Sequence, residues 1–176
     1  LYYGNEEQKQ KYIPKLASGE WKAAYCLTEP SSGSDANSGR TTAKLTDDGK
    51  HYIINGQKMW ITNGGFANVF TVFAKIDDDD NLTGFIIEAD AEGVSLNPEE
   101  KKMGIKGSTT RQVFFNNVKI PVENLLGERN KGFKIALNIL NIGRIKLAAG
   151  VIGGAKEVIN HSVKYANERE QFGRPI

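Results

Sequence analysis

The chain carries a single cysteine, Cys26, in 176 residues, and without a second thiol it can form no internal disulfide. That removes the disulfide-rich secreted frameworks. Cys26 lies in a strand-like stretch and reads as a small buried hydrophobe. An excess of one charge is also missing: 23 Lys and Arg against 21 Asp and Glu, well mixed, leave a net charge of +2. Nothing in that balance favours nucleic acid or another polyanion. No run of about eighteen apolar residues occurs and no basic segment leads into an apolar one, so neither a membrane span nor a targeting segment is expected.

Several common chemistries lack their residues. The two histidines, His51 and His161, have no paired metal spacing and no Gly-x-Ser-x-Gly context, and both are expected at the surface. No Gly-x-Gly-x-x-Gly follows a strand and no phosphate loop occurs, which excludes dinucleotide-fold and nucleotide-hydrolase readings. The run Asp77-Asp78-Asp79-Asp80 lacks the glycine spacing of a calcium loop and reads as a solvated turn. No metal site is expected. Two glycosylation triplets, Asn81-Leu82-Thr83 and Asn160-His161-Ser162, read as structural beside the lone cysteine.

What is present is an ordinary globular composition, 39% hydrophobic and 25% charged, sufficient for one core. The chain starts at Leu1 and stops directly after a helical pattern, so a longer parent polypeptide is expected. Residues 6–16 favour a helix as far as Pro14, and Ala17-Ser18-Gly19 breaks it. From Trp21 to about Val118 the pattern is of short strands, with further ones at 68–75, 83–89 and 111–118. Asp48-Gly49 and Asn55-Gly56 read as hairpin turns around His51-Tyr52-Ile53-Ile54. These features predict an antiparallel β-barrel or sandwich. After Pro121 and Gly127, helices are predicted over 132–142 and 144–168. The second has an apolar stripe through Ala148, Ile152, Ala155, Ile159, Val163 and Ala166. Gly150 and Gly154 weaken it by roughly 1 kcal/mol each, so packing against helices outside the chain is expected.

Two stretches carry the chemistry: Thr28-Glu29-Pro30-Ser31-Ser32-Gly33-Ser34-Asp35 and Trp60-Ile61-Thr62-Asn63-Gly64. Each sets hydroxyls and backbone N–H groups at a strand end, and the second adds an indole plane suited to a flavin ring. Taken singly, Trp60 reads as a core aromatic and Thr28 and Thr62 as ordinary strand residues. The ordered pair makes the flavin reading specific.

With these stretches in place the sequence resembles the acyl-CoA dehydrogenase family over essentially its whole length, nearest to the very-long-chain branch. Further motifs that carry the resemblance are Met103-Gly104-Ile105-Lys106-Gly107-Ser108, Pro121 to Gly127, Gly132-Phe133-Lys134, Gly143-Arg144 and Glu168 to Gly173. The resemblance implies the end of an N-terminal helical domain (1–19), a middle β-domain (20–128) and the start of a C-terminal helical-bundle domain (129–176). FAD would lie between the last two.

By motif match, the stretch Tyr25 to Ser34 runs along the flavin, with Leu27, Thr28, Gly33 and Ser34 as chief contacts, and Ser34 also approaches the thioester. Trp60, Ile61 and Thr62 flank the ring. Asn141 and Arg144 face the CoA part of the substrate, although many members have Asp in place of Asn141. Arg169, Gln171 and Phe172 reach the FAD of a neighbouring subunit. The reaction implied is α,β-dehydrogenation of a long or very-long-chain fatty acyl-CoA. Its base is a Glu beyond the segment matching Ile176, and Gly143 stands where some branches carry it instead. No catalytic residue is therefore expected among these residues, and the isolated segment is expected to be inactive. The resemblance further implies electron-transfer flavoprotein as acceptor, a homodimer or homotetramer, and a mitochondrial location. An acyl-CoA oxidase and a non-catalytic docking module are the rival readings.

Overall fold

The computed structural model describes residues 1–176 and divides them into two compact units, Leu1–Ala136 and Leu137–Ile176. The first unit opens with α1 (Glu6–Ser18). Asn5 caps it, accepting from the Gln8 amide at 2.8 Å while the Gln8 side chain accepts from the Asn5 amide at 3.1 Å. Pro14 lies inside the helix, which runs on to Ser18, where Gly19 closes it in the left-handed region (φ 77). The expected stop at Pro14 is thus four residues early. Buried Gln8 docks the helix on the sheet by donating to the carbonyls of Glu123 and Leu125 at 2.7 and 2.8 Å.

The strands of the unit are β1 (Ala23–Cys26), β2 (Thr42–Leu45), β3 (His51–Thr62), β4 (Val69–Ile76), β5 (Thr83–Glu88), β6 (Val94–Leu96), β7 (Thr110–Pro121) and β8 (Leu125–Leu126). They form one eight-stranded sheet in the order β6-β7-β3-β2-β4-β5-β8, with β1 also paired to β4. The pairing is mostly antiparallel, as the predicted antiparallel barrel or sandwich requires, with two parallel exceptions: β1 and β2 both run parallel to β4. They share one edge of β4 in succession, β1 along Val69–Val72 and β2 along Lys75–Ile76. Between them the chain leaves the sheet. The core on its inner face includes Phe70, Val72, Phe85, Ile87, Val113 and Val118, all fully buried. Each such side chain stabilises the fold by roughly 1.5–3 kcal/mol.

Asp48-Gly49 is the β2–β3 turn, with Gly49 at φ 69. Asn55-Gly56 is not a turn. Asn55 pairs with Thr42 and Gly56 with Phe115 inside a continuous β3, and Gly56 is required because a Cβ there would meet the Thr41 backbone at 2.8 Å. In the acidic run, Asp79 accepts two hydrogen bonds from Arg129, at 2.7 and 2.8 Å. Those bonds hold its carboxyl below the usual carboxylate range.

A single helix, α2 (Gly132–Glu168), replaces the two predicted after residue 132, because nothing in its backbone breaks at Gly143. Its first turn belongs to the first unit. Gly132 donates to the Leu82 carbonyl at 2.7 Å, and Ile135 and Ala136 are buried with Leu27, Phe73 and Leu82. In the second unit the helix keeps Ile152, Ile159 and Val163 more than half exposed. By length and composition it is apolar enough to cross a membrane, with a mean hydropathy of 1.5 over an 18-residue stretch, although charged and polar residues interrupt every apolar run in it. The same composition suits a helix at the centre of a bundle. The unit ends in a hairpin of β9 (Glu170–Gln171) and β10 (Arg174–Pro175), turned at Phe172 and Gly173 with φ of 54 and 73.

Candidate functional site

Where β1 gives way to β2 on the edge of β4, the segment Leu27 to Thr41 loops out of the sheet. Leu27 remains buried against Phe73, Leu82, Ile135 and Ala136. After it the chain makes a two-residue turn at Pro30-Ser31, closed by reciprocal backbone bonds between Glu29 and Ser32 at 3.0 and 3.1 Å. The Ser32 and Ser38 hydroxyls both donate to the Asp35 carbonyl at 2.7 Å. These bonds leave Gly33 and Ser34 exposed at the tip, with no atom within 4 Å of where a Gly33 Cβ would lie.

The second stretch is shaped by a β-bulge. Lys58 pairs with Val113 and Ile61 with Arg111, so three steps along β3 match two along β7. The extra residue falls at Met59-Trp60, and Trp60 takes φ 60. A bulky side chain in that region is strained by about 1–3 kcal/mol. One consequence is that the inward parity shifts. Trp60 turns outward at 56% exposure, while Ile61 is buried at 2%. The Met59 amide donates to the Thr28 carbonyl at 2.8 Å, bringing the two stretches side by side. Thr62 ends β3 opposite Thr110 and is exposed.

Beneath this junction lies a buried ion pair. Lys58 is fully buried and Glu29 nearly so, with Nζ 2.7 Å from Oε1. The ammonium also donates to the carbonyls of Leu27 (3.2 Å) and Phe73 (2.6 Å). The Phe73 carbonyl sits just where β1 has ended and β2 has not begun. Glu29 further accepts from the amides of Arg40 and Thr41 and from the Thr41 hydroxyl, at 2.6, 3.1 and 2.7 Å. Burial opposes ionisation of Glu29, but the Lys58 charge and these donors outweigh it and hold the carboxyl below its ordinary range. Burial pulls Lys58 downward against the opposing pull of Glu29. The three acceptors around its nitrogen carry no proton to offer, so the ammonium form is the one that satisfies them.

Two of the expected contacts have side chains engaged within the fold. The Ile61 side chain is committed to the core by the bulge, so only its main chain can face a ligand. Tyr25 is half-buried, stacks edge-on with Phe73 at 5.3 Å and donates to the Ala136 carbonyl at 3.3 Å. Burial raises its phenol well above the ordinary value, and its ring is occupied within the fold. Cys26, fully buried, has its thiol pushed up to about 12 by burial, in keeping with a packing role. Glu29 and Lys58 were not singled out from the sequence, although Lys58 lies at even spacing from inward-facing Tyr52 and Ile54.

In the second unit Arg144 donates to the Asn141 side chain at 2.8 Å, one helical turn apart and exposed. Arg169 follows the end of α2, and its backbone bonds to Tyr165 and Ile176 fasten the hairpin to the helix. Gln171 and Phe172 are exposed, Phe172 completely. An indole held outward by a strained backbone beside the Thr28 strand exit fits a planar aromatic ligand such as a flavin ring.

Two family descriptions match the chain: the acyl-CoA dehydrogenase middle domain over residues 24–118 and the acyl-CoA dehydrogenase C-terminal domain over residues 130–176. A probable acyl-CoA dehydrogenase of Bacillus subtilis (strain 168) is 58% identical over 176 residues, covering all of this chain and 30% of that protein. The human mitochondrial very long-chain specific acyl-CoA dehydrogenase is 51% identical over 184 residues, covering all of this chain and 28% of that protein. An acyl-CoA dehydrogenase from Bacillus anthracis, solved in complex with FAD, superposes with a TM-score of 0.91 at 57% identity. That match covers 98% of this chain and 30% of the solved one. The chain thus spans a little under a third of the length of these relatives. With matched domains in the same order as its two main stretches of sequence, the chain belongs to the acyl-CoA dehydrogenase family.

Proposed function

We propose that this chain is the flavin-facing segment of an FAD-dependent acyl-CoA dehydrogenase acting on long or very-long-chain fatty acyl-CoA thioesters. The observation that carries the reading is the outward, strained Trp60 tied to the Thr28 strand exit, in a chain of this family. FAD, when bound, would accept the β-hydrogen of the acyl chain as hydride.

The part of the chain's own residues is binding and orientation. Trp60 offers a flat apolar wall, and the hydroxyls of Thr28 and Thr62 are donors for polar ring atoms. Gly33 leaves room for close approach along the loop, where Ser34 is exposed toward a thioester. Asn141 and Arg144 suit the CoA portion, since a guanidinium can hold carbonyl or phosphate oxygens in two places at once. Arg169, Gln171 and Phe172 on the terminal hairpin reach the cofactor of a neighbouring subunit in a homodimer or homotetramer. Removal of the weakly acidic α-proton needs a desolvated carboxylate, which we assign to a Glu outside these 176 residues. The domain divisions 1–19, 20–128 and 129–176 belong to the same proposal, with electron-transfer flavoprotein as acceptor. A mitochondrial address is supported by the name of the human relative; the Bacillus subtilis relative comes from a bacterium.

Spectroscopy on the full-length polypeptide tests the reading. The purified protein should show a flavin absorption band that bleaches when a long-chain acyl-CoA is added without oxygen, and the 176-residue segment alone should turn over nothing. A colourless full-length protein that takes up no FAD would overturn the assignment. Peroxide formation with oxygen uptake would move it to an oxidase.

A further inference from the structure

We propose that buried Lys58 and Glu29 are positioning residues for the flavin: their ion pair holds the Thr28 strand exit against the Trp60 bulge so that both face one ligand. The inference rests on the proposed flavin function but concerns residues that touch no ligand themselves. Both side chains are buried, at 0% and 4% exposure.

The geometry singles out this pair because of where its bonds go. The sheet divides at Phe73, where β4 has lost β1 as partner and has not yet gained β2. A buried carbonyl there would be left without a donor, at a cost in free energy. The Lys58 ammonium supplies the donor at 2.6 Å and spends its remaining protons on Leu27 and Glu29. Leu27 and Glu29 are the residues either side of Thr28. The next residue along β3, Met59, donates its amide to Thr28 itself. Three consecutive residues of the exit are therefore fixed by two consecutive residues of β3, immediately before the bulge that turns Trp60 out.

A well-packed apolar pair could fill the same volume and avoid a lone buried charge, which offsets part of the cost of the backbone groups it leaves unpaired. It would not reproduce directional bonds to Leu27 and Phe73. Flavin geometry can therefore be read in a variant that still folds.

The test uses the full-length polypeptide as wild type, K58M/E29M and T41V, the last removing one donor to Glu29 while leaving the ion pair. Apoprotein is titrated with FAD, and the visible circular dichroism and midpoint potential of the bound flavin are recorded beside the thermal midpoint. For K58M/E29M we expect a lowered thermal midpoint, because the Leu27 and Phe73 carbonyls lose their donor, together with FAD affinity weakened at least tenfold and an altered flavin dichroism. T41V should show a smaller change of the same kind. Wild-type affinity and dichroism in K58M/E29M would overturn the inference. If that variant does not fold, unchanged affinity and dichroism in T41V overturn it. A wild-type apoprotein that binds no FAD defeats both this inference and the functional reading, whereas a binding wild type with indifferent variants defeats only this one.

Discussion

Trp60 holds a backbone conformation that suits it poorly, and a change to a residue tolerant of that conformation separates strain from binding. Trp60→Asn should leave the apoprotein equally stable or up to about 1–3 kcal/mol more stable, by relieving the left-handed strain. It should weaken FAD binding by roughly 0.5–1.5 kcal/mol for the lost aromatic contact, read by titration of the full-length protein. Lys58→Met alone, which leaves the Glu29 carboxylate buried without its cation, should cost about 3–5 kcal/mol in chemical denaturation.

The Glu29 carboxyl is held below its ordinary value of 4.5 when folded. Its contribution is thus present above that value and is lost as pH falls through the lower folded one. Thermal midpoints taken from about pH 6 to about pH 3 should fall more steeply for wild type than for Glu29→Gln. Equal slopes would remove the pair from the acid response. Of these residues, Trp60 and Thr28 were legible in the sequence because their motifs are specific. Lys58 was concealed: reading Asn55-Gly56 as a turn cut β3 at the point where even spacing would have placed Lys58 inward with Tyr52 and Ile54.

Among the elements, the bulge in β3 and the division of the β4 edge do most to shape the site, and both depend on pairings distant in sequence. That is why neither could be read from local pattern, whereas β4, β5 and β7 announce themselves by apolar, β-branched runs. The parallel pairing of β1 and β2 with β4 is likewise set by the whole sheet. At the start of α2, Gly132 packs so tightly on β5 that a Cβ would lie 2.6 Å from the Thr83 carbonyl carbon. Gly132→Ala should therefore displace the first turn and destabilise the full-length protein by about 1–3 kcal/mol, measured as a lowered denaturation midpoint. An unchanged midpoint would mean that the helix start is not held by this contact. The continuity of α2 through Gly143 escaped the sequence because a single glycine weakens a helix by only about 1 kcal/mol, less than packing or neighbouring turns can supply.

For the molecule as a whole, α2 beyond Ala136 is largely exposed and Phe172 fully so, and the chain spans a little under a third of the length of the relatives it matches. The family and the β-rich middle domain were readable because seven motifs occur in order. The side-chain fates of Ile61 and Tyr25 were not, since parity across a bulge and burial against Ala136 exist only in three dimensions. The most direct measurement is a crystal structure of the full-length protein with FAD. It should place the flavin ring in van der Waals contact with the Trp60 indole and within hydrogen-bonding distance of the Thr28 or Thr62 hydroxyl. FAD bound elsewhere, with Trp60 still facing solvent, would contradict the account.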